Sequence, residues 1–278
     1  MSDIAAALAA AAARIAAVSD TPRLDAELLM AHALGIERSA LLLDLSRLTV
    51  PDGFAALVDR RCRHEPVAYI VGTRDFWTIS LAVGPGVLIP RADSETLIEA
   101  AVAHFSAEGP ARIFDLGTGP GTLLLAALDQ WPAAQGVGVE RSAVALEYAR
   151  RNAAALGSAS RVTWVVGDWH DAASIVGLGQ FDLVLANPPY VEAGAILDAQ
   201  VVHYEPAEAL FAGAEGLDDY RRIIPLLRQL LSPSGIAVVE IGHRQADAVS
   251  GLAHRAGLAG RLRRDLGGRD RVLLLTAV

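Results

Sequence analysis

Ile113-Phe114-Asp115-Leu116-Gly117-Thr118-Gly119-Pro120-Gly121 is the stretch that decides the fold. A short apolar run from Ala111 to Leu116, with Asp115 next to its end, breaks into glycines. A helical pattern, Gly121 to Asp129, follows at once. This is a strand turning into a helix over a loop in which glycine permits positive φ and close approach of a ligand to the backbone. The turn brings helix N–H groups toward an anion. Downstream the same alternation repeats. Val137–Glu140, Arg161–Val166, Phe181–Ala186 and Ile236–Ile241 read as strands. Ser142–Leu156, Asp218–Leu231 and His243–Ala256 read as helices, and Ser94–Ser106 as one more ahead of the loop. Two last runs, Arg261–Leu266 and Arg271–Ala277, resemble an antiparallel pair. Strands alternating with helices predict an α/β fold, a mostly parallel sheet covered on both faces.

The loop also narrows the ligand. Its spacing is G-x-G-x-G, not the dinucleotide pattern G-x-G-x-x-G, and Thr122 follows it. Asp115, at the strand tip, suits an ammonium group. Glu140 ends the next strand, where an acid accepts hydrogen bonds from ribose hydroxyls. A ligand with an amino-acid end and a ribose fits both, and S-adenosylmethionine is such a ligand. The cofactor-binding candidates are Asp115, Gly117, Thr118, Gly119, Pro120, Gly121 and Glu140. Asp168 and Trp169 join them as an acceptor for the adenine amine and a ring to pack on it. NAD, or a tight turn without ligand, remains the alternative. For Asp168 and Trp169 the plainer reading is an ordinary strand-end turn.

After Leu183-Val184-Leu185-Ala186 comes Asn187-Pro188-Pro189-Tyr190. The prolines fix φ and remove two donors, and Asn187, preceding a proline, is held extended. The loop is rigid, sits at a strand's carboxyl end and presents two acceptors, the Asn187 carboxamide oxygen and the Pro188 carbonyl. A planar NH2 group needs two acceptors, because its lone pair is delocalised and must be held toward an electrophile. Asn187, Pro188 and Tyr190 are therefore the candidate catalytic residues, with Tyr190 stacking on a planar target or closing the pocket. The plainer reading is a strand-terminating Pro-Pro turn.

Other chemistries find little support. The seven histidines show no metal-ligand spacing, and one cysteine, Cys62, excludes a cysteine-based zinc site and an intramolecular disulfide. That cysteine usage fits a reducing cytoplasm. No G-x-S-x-G is present, and Asp218 and Asp219 sit at a helix start, where acids favour the dipole. The net charge of −8 disfavours tight nucleic-acid binding, and the run Arg60, Arg61, Arg63 and His64 reads as a solvated helix face. Mean hydropathy is +0.35, but much of the apolar fraction is alanine. No uncharged stretch reaches the roughly 18 residues a membrane span needs. The Ala-rich start, carrying Asp3 and Arg14, reads as an amphipathic helix and not as a signal peptide.

Ahead of the alternating part the period is helical. Thr21-Pro22 starts a helix that Gly35 stops, and another covers Asp52 to His64. Val67–Val71 and Phe76–Val83 read as two strands of a hairpin around Gly72-Thr73-Arg74-Asp75. Three parts follow: a helical domain over residues 1–65, a hairpin linker over 66–92 and the α/β domain over 93–278.

The chain resembles the PrmC/HemK family of protein-(glutamine-N5) methyltransferases that modify peptide chain release factors. The likeness runs through Arg23–Leu29, Glu65–Gly72, Phe76-Trp77, Leu88–Arg91, Asp93–Leu97, Asp115–Gly121, Asn187–Tyr190, Tyr204-Glu205-Pro206, Gly216-Leu217 and Glu240-Ile241-Gly242. It implies a Rossmann-like, seven-stranded class I methyltransferase domain behind a small helical recognition domain. It further implies S-adenosylmethionine as cofactor and the glutamine of a class 1 release factor's Gly-Gly-Gln loop as target. Asn187, Pro188, Pro189 and Tyr190 match the target-amide loop, and Arg91 and Glu205 match segments near that pocket. A monomer in the cytoplasm, with no stable nucleic acid and no membrane, is expected. Ala92 stands where the family often has proline, Pro120 sits inside the glycine loop, and Leu123 and Leu124 are bulkier than usual. Residues 192–202 are Ala-rich and expected to be mobile without substrate. A ribosomal-protein glutamine methyltransferase, a nucleic-acid N6-adenine methyltransferase and a cofactor-binding module without turnover are the competing readings.

Overall fold

In a computed structural model, residues 3–105 and 108–278 are described, and the chain forms two compact units. The first comprises residues 1–73 and 197–205. It is helical: Asp3–Ile15, Pro22–Leu34, Arg38–Leu43, Phe54–Cys62 and Val67–Val71, with the short helix Ala199–Tyr204. The Ala-rich start is amphipathic as expected, burying Ile4, Leu8, Ala11 and Ile15. Thr21 and Gly35 bound the second helix, and Gly35 takes φ 67°. These helices bury their own core, in which Leu29, Met30 and Leu41 are fully enclosed.

Two expectations fail here. Val67–Val71 is a helix, not a strand. A β-branched apolar run looks like a strand, but Pro66 starts a helical turn. Gly72, at φ 80°, closes that turn by donating its N–H to the Ala68 carbonyl. The hairpin therefore begins later, with β1 (Thr73–Phe76) and β2 (Ile79–Ala82) around Trp77-Thr78. The basic run is not uniformly solvated either. Arg61 is buried and its Nε lies 2.7 Å from Asp25 Oδ2, while Arg60 pairs with Glu65. An ion pair with an extra bond to the Val18 carbonyl makes that burial tolerable.

The second unit comprises residues 74–196 and 206–278. Its sheet has seven strands: β3 (Arg112–Leu116), β4 (Gln135–Glu140), β5 (Val162–Val166), β6 (Phe181–Ala186), β7 (Leu231–Glu240), β8 (Leu258–Arg264) and β9 (Asp270–Ala277). Their order is β5-β4-β3-β6-β7-β9-β8, parallel except for β9, which runs antiparallel to both its neighbours. Alternate residues feed opposite faces. Ile113, Leu183 and Leu185 pack with helices Glu95–His104 and Thr122–Gln130, and with Phe76, Ile79 and Leu81 of the hairpin. Phe114, Val184 and Ala237 pack with helices Asp218–Leu230 and Ala246–Arg255. The expected helix from Ser94 starts as a 3-10 turn at Ala92–Ser94 and continues to His104; its forecast end, Ser106, lies outside the described residues.

The chain adds β4 and β5 on one side of β3, then crosses to place β6 on the other. At that reversal the helices diverge and leave a crevice beyond the strands' carboxyl ends. In-register pairing sets Asp115 beside Gly138 and Leu185, and the tips of β3, β4 and β6 end together.

Candidate active site

The strand tips deliver the site. Asp115 is the penultimate residue of β3, Glu140 the last of β4, and Asn187 follows the last residue of β6. Together with Arg91, Gly117, Thr118, Gly119, Pro120, Asp168, Trp169 and Pro189 they line one cavity, about 970 Å³ out to its mouth.

The glycine loop is held from within. The N–H groups of Gly117 and Thr118 both donate to the Val139 carbonyl at 2.9 Å, and Leu124 N–H donates to Asp115 Oδ2 at 3.3 Å. These N–H groups are therefore engaged by the protein, and what the loop offers at those positions is space. Gly117 (φ 80°) needs glycine twice over, since a Cβ there would stand 2.8 Å from Trp169 Cζ3.

Asp115 is 1% exposed. Its Oδ2 accepts from Thr118 Oγ1 at 2.6 Å, but its Oδ1 is buried with no hydrogen-bond partner among the described residues. Burial pushes the carboxyl up to about 7 against those bonds, and Glu140 pushes the same way. An orphaned carboxylate oxygen in a cavity wall calls for a cation. Glu140 Oε2 accepts from Gly119 N–H at 3.0 Å and Oε1 from Ser142 N–H at 2.8 Å, so both oxygens are fixed and each keeps a lone pair for a hydroxyl. Asp168 is drawn aside. Burial works against its charge, but the His170 N–H and ring outweigh it and hold the carboxyl low. Trp169 is anchored by its indole N–H, which donates to Asp219 Oδ1 at 2.8 Å.

Asn187 lies in the wall, and its Nδ2 donates to Ser94 Oγ at 3.3 Å. That bond sets the amide's orientation and leaves Oδ1 as its acceptor. Pro188 and Tyr190 are not among the lining residues: Pro188 is buried between Asn187 and Pro189, which are, and the Tyr190 hydroxyl donates to Glu240 Oε1 at 3.0 Å. Gly121 supports the loop by starting the helix, at φ 89°. Glu205 is buried within the stretch that packs with the helical unit.

Three contributors escaped the sequence reading. Ser94 and Glu240 brace the Asn187–Tyr190 turn, and Asn152, 2% exposed, ties β2 to the glycine loop. Its Nδ2 donates to the Pro120 and Ala82 carbonyls at 2.9 and 3.1 Å, and its Oδ1 accepts from Ala82 N–H at 2.7 Å. Glu240 carries the one signal visible in sequence, an acid closing an apolar strand, as Glu140 does. Among the described residues no group of three or more metal-ligating side chains gathers, and no helix is long and apolar enough to cross a membrane.

Comparison with known proteins agrees with this geometry. Residues 6–72 match the family described as PrmC N-terminal domain, and residues 108–250 the one described as methyltransferase domain. The chain is 42% identical to the release factor glutamine methyltransferase of Rhodospirillum rubrum, over 92% of this chain and 79% of that one. It is 41% identical to that of Cereibacter sphaeroides, over 96% of each. The fold is shared with the T. thermophilus 16S rRNA N2 G1207 methyltransferase, solved with AdoMet and guanosine: TM-score 0.54, 18% identity, 74% of this chain and 50% of that one.

Proposed function

The chain belongs to the release factor glutamine methyltransferases, and from that membership we propose how its own residues transfer a methyl group to the side-chain nitrogen of a release factor glutamine. The observation that carries the reading is the Asn187 amide, turned by Ser94 so that its oxygen is the free acceptor, in the wall of the cavity that holds the orphaned Asp115 oxygen.

The residues present fit S-adenosylmethionine. Asp115 Oδ1 would take its ammonium, Glu140 its ribose hydroxyls, and Trp169 and Asp168 the adenine. Bound there, the cofactor supplies an electrophilic methyl on a sulfonium sulfur. Asn187 Oδ1 and the Pro188 carbonyl accept the two N–H bonds of the glutamine amide and hold its nitrogen facing that methyl. The cofactor would supply the methyl group and keep the sulfur as its leaving group, while the amide nitrogen held by Asn187 and Pro188 would give up one proton to solvent. No covalent intermediate on the protein is required, because positioning and acceptor placement supply the catalysis. Pro189 and Arg91 shape the entry of the target, and Glu205 immediately precedes Pro206, which lines the same cavity. We place the reaction in the cytoplasm, on a free class 1 release factor engaged by the helical unit, which extends to residue 73 and not to the expected 65. The enzyme acts as a monomer without stable nucleic acid.

Incubation with labelled cofactor and, separately, a release factor, ribosomal proteins and DNA tests this. Label on the Gly-Gly-Gln glutamine is expected, and label only on DNA refutes it. Asn187→Ala should cut kcat roughly hundredfold while leaving the cofactor Kd within about twofold. Unchanged turnover in that variant would end the acceptor mechanism.

A further inference from the structure

We propose that Glu240 is a positioning residue that holds both ends of the Asn187–Tyr190 turn, Tyr190 directly and Asn187 through Ser94; the proposal rests on the reading of the turn given above. β6 and β7 are parallel neighbours with Ala186 opposite Val239, so Asn187 and Glu240 leave adjacent strand tips side by side. The Tyr190 hydroxyl donates to Glu240 Oε1 at 3.0 Å. Ser94 Oγ accepts from Asn187 Nδ2 at 3.3 Å, and the Ser94 hydroxyl stands close enough to the same carboxylate to work against burial and favour its charged form. One carboxylate therefore reaches the first and last residues of the turn. Its own backbone is pinned by the fully buried Tyr220, whose hydroxyl donates to the Glu240 carbonyl at 2.9 Å.

Stability alone does not ask for an acid here. Glu240 is 1% exposed, and its Oε2 is buried without a hydrogen-bond partner among the described residues. Burial pushes its carboxyl up, opposed by Ser94, Tyr190 and the charge of Arg271. An apolar side chain of similar volume would avoid that desolvation. What such a side chain could not do is accept from the Tyr190 hydroxyl while presenting a negative charge to Ser94. Nor is Glu240 needed to keep the turn folded, because Gln245 Nε2 holds the Tyr190 carbonyl at 3.1 Å. Glu240 thus governs where side chains point while Gln245 governs where the backbone runs.

Two measurements on the full chain decide it. In the first, kinetics are compared for wild type, Glu240→Gln, Glu240→Ala, Ser94→Ala and the double Ala variant. Glu240→Gln, which removes the charge and puts an NH2 donor in place of one oxygen, should lose about tenfold in kcat and Glu240→Ala more, with KM for the release factor and Kd for the cofactor within about threefold. Adding Ser94→Ala to Glu240→Ala should cost little further, since both act on Asn187 by one path. In the second, side-chain NH2 exchange of 15N-labelled Asn187 is followed by NMR. It should be slow in wild type and at least about tenfold faster in Glu240→Ala and Ser94→Ala. Kcat unchanged in both Glu240 variants, or Asn187 exchange unchanged in them, overturns the proposal. A wild type that methylates no release factor sinks the substrate reading instead, and the exchange measurement then still decides the role of Glu240.

Discussion

Asp115 is where the site's chemistry meets the protein's stability. Burial raises its carboxyl to about 7, above the ordinary value of 3.8. The folded state therefore holds a proton between those two values that the unfolded chain releases. Stability of the cofactor-free protein must fall as pH rises through that window, and the full penalty, on the order of 4 kcal/mol, is present above about 7. Asp115→Asn removes the titration. It should raise the melting temperature of the cofactor-free protein at pH 8 and do little at pH 4. The same residue must be ionised to accept an ammonium. Cofactor Kd is then expected to weaken toward about tenfold for each pH unit below about 7, and in Asp115→Asn to be weak at every pH. Calorimetric titration from pH 5.5 to 8 checks this, and a flat wild-type profile would show that Asp115 does not face the ammonium.

At the scale of elements, the site depends on how loops are tied. Asn152 lies in the last turn of helix Ala143–Ala155, and its amide joins Ala82 of β2 to Pro120 of the glycine loop through three hydrogen bonds. Asn152→Ala leaves those buried backbone groups unpaired, a loss of roughly 2–3 kcal/mol. Urea unfolding should record it, and cofactor affinity should fall at the same time because Pro120 is in the cavity wall. Lost stability with unchanged affinity would mean that the tie serves the hairpin alone. Such ties explain what the sequence concealed. The alternation of strands and helices was legible because buried parallel strands appear as unbroken apolar runs, and the glycine loop because positive φ leaves few alternatives to glycine. Val67–Val71 misled because its β-branched content outweighed two caps only one turn apart. Ser94 and Asn152 were not legible as site residues, and Glu240 only as an acid closing a strand, because periodicity reports which positions are buried and says nothing about which buried polar atoms meet.

Over the whole molecule, the division into two cores has a thermodynamic consequence. Helices Asp3–Ile15 and Pro22–Leu34 bury their apolar faces in a core that includes Phe54 and Val58, whereas β3, β4, β6 and β7 bury theirs against the helices of the second unit. The cavity is lined wholly by residues of that second unit. A ligand bound there stabilises only the openings that destroy its site, by about 2.7 kcal/mol at a hundredfold excess over Kd. If each core opens on its own, saturating S-adenosylmethionine should slow amide exchange in Arg112–Leu116, Gln135–Glu140 and Phe181–Ala186 by about a hundredfold and leave the helices of residues 3–34 unaffected. Equal slowing in both would show that the cores unfold as a single cooperative unit. Slowing confined to the helices would mean that the cofactor binds somewhere other than the crevice between the tips of β3, β4 and β6.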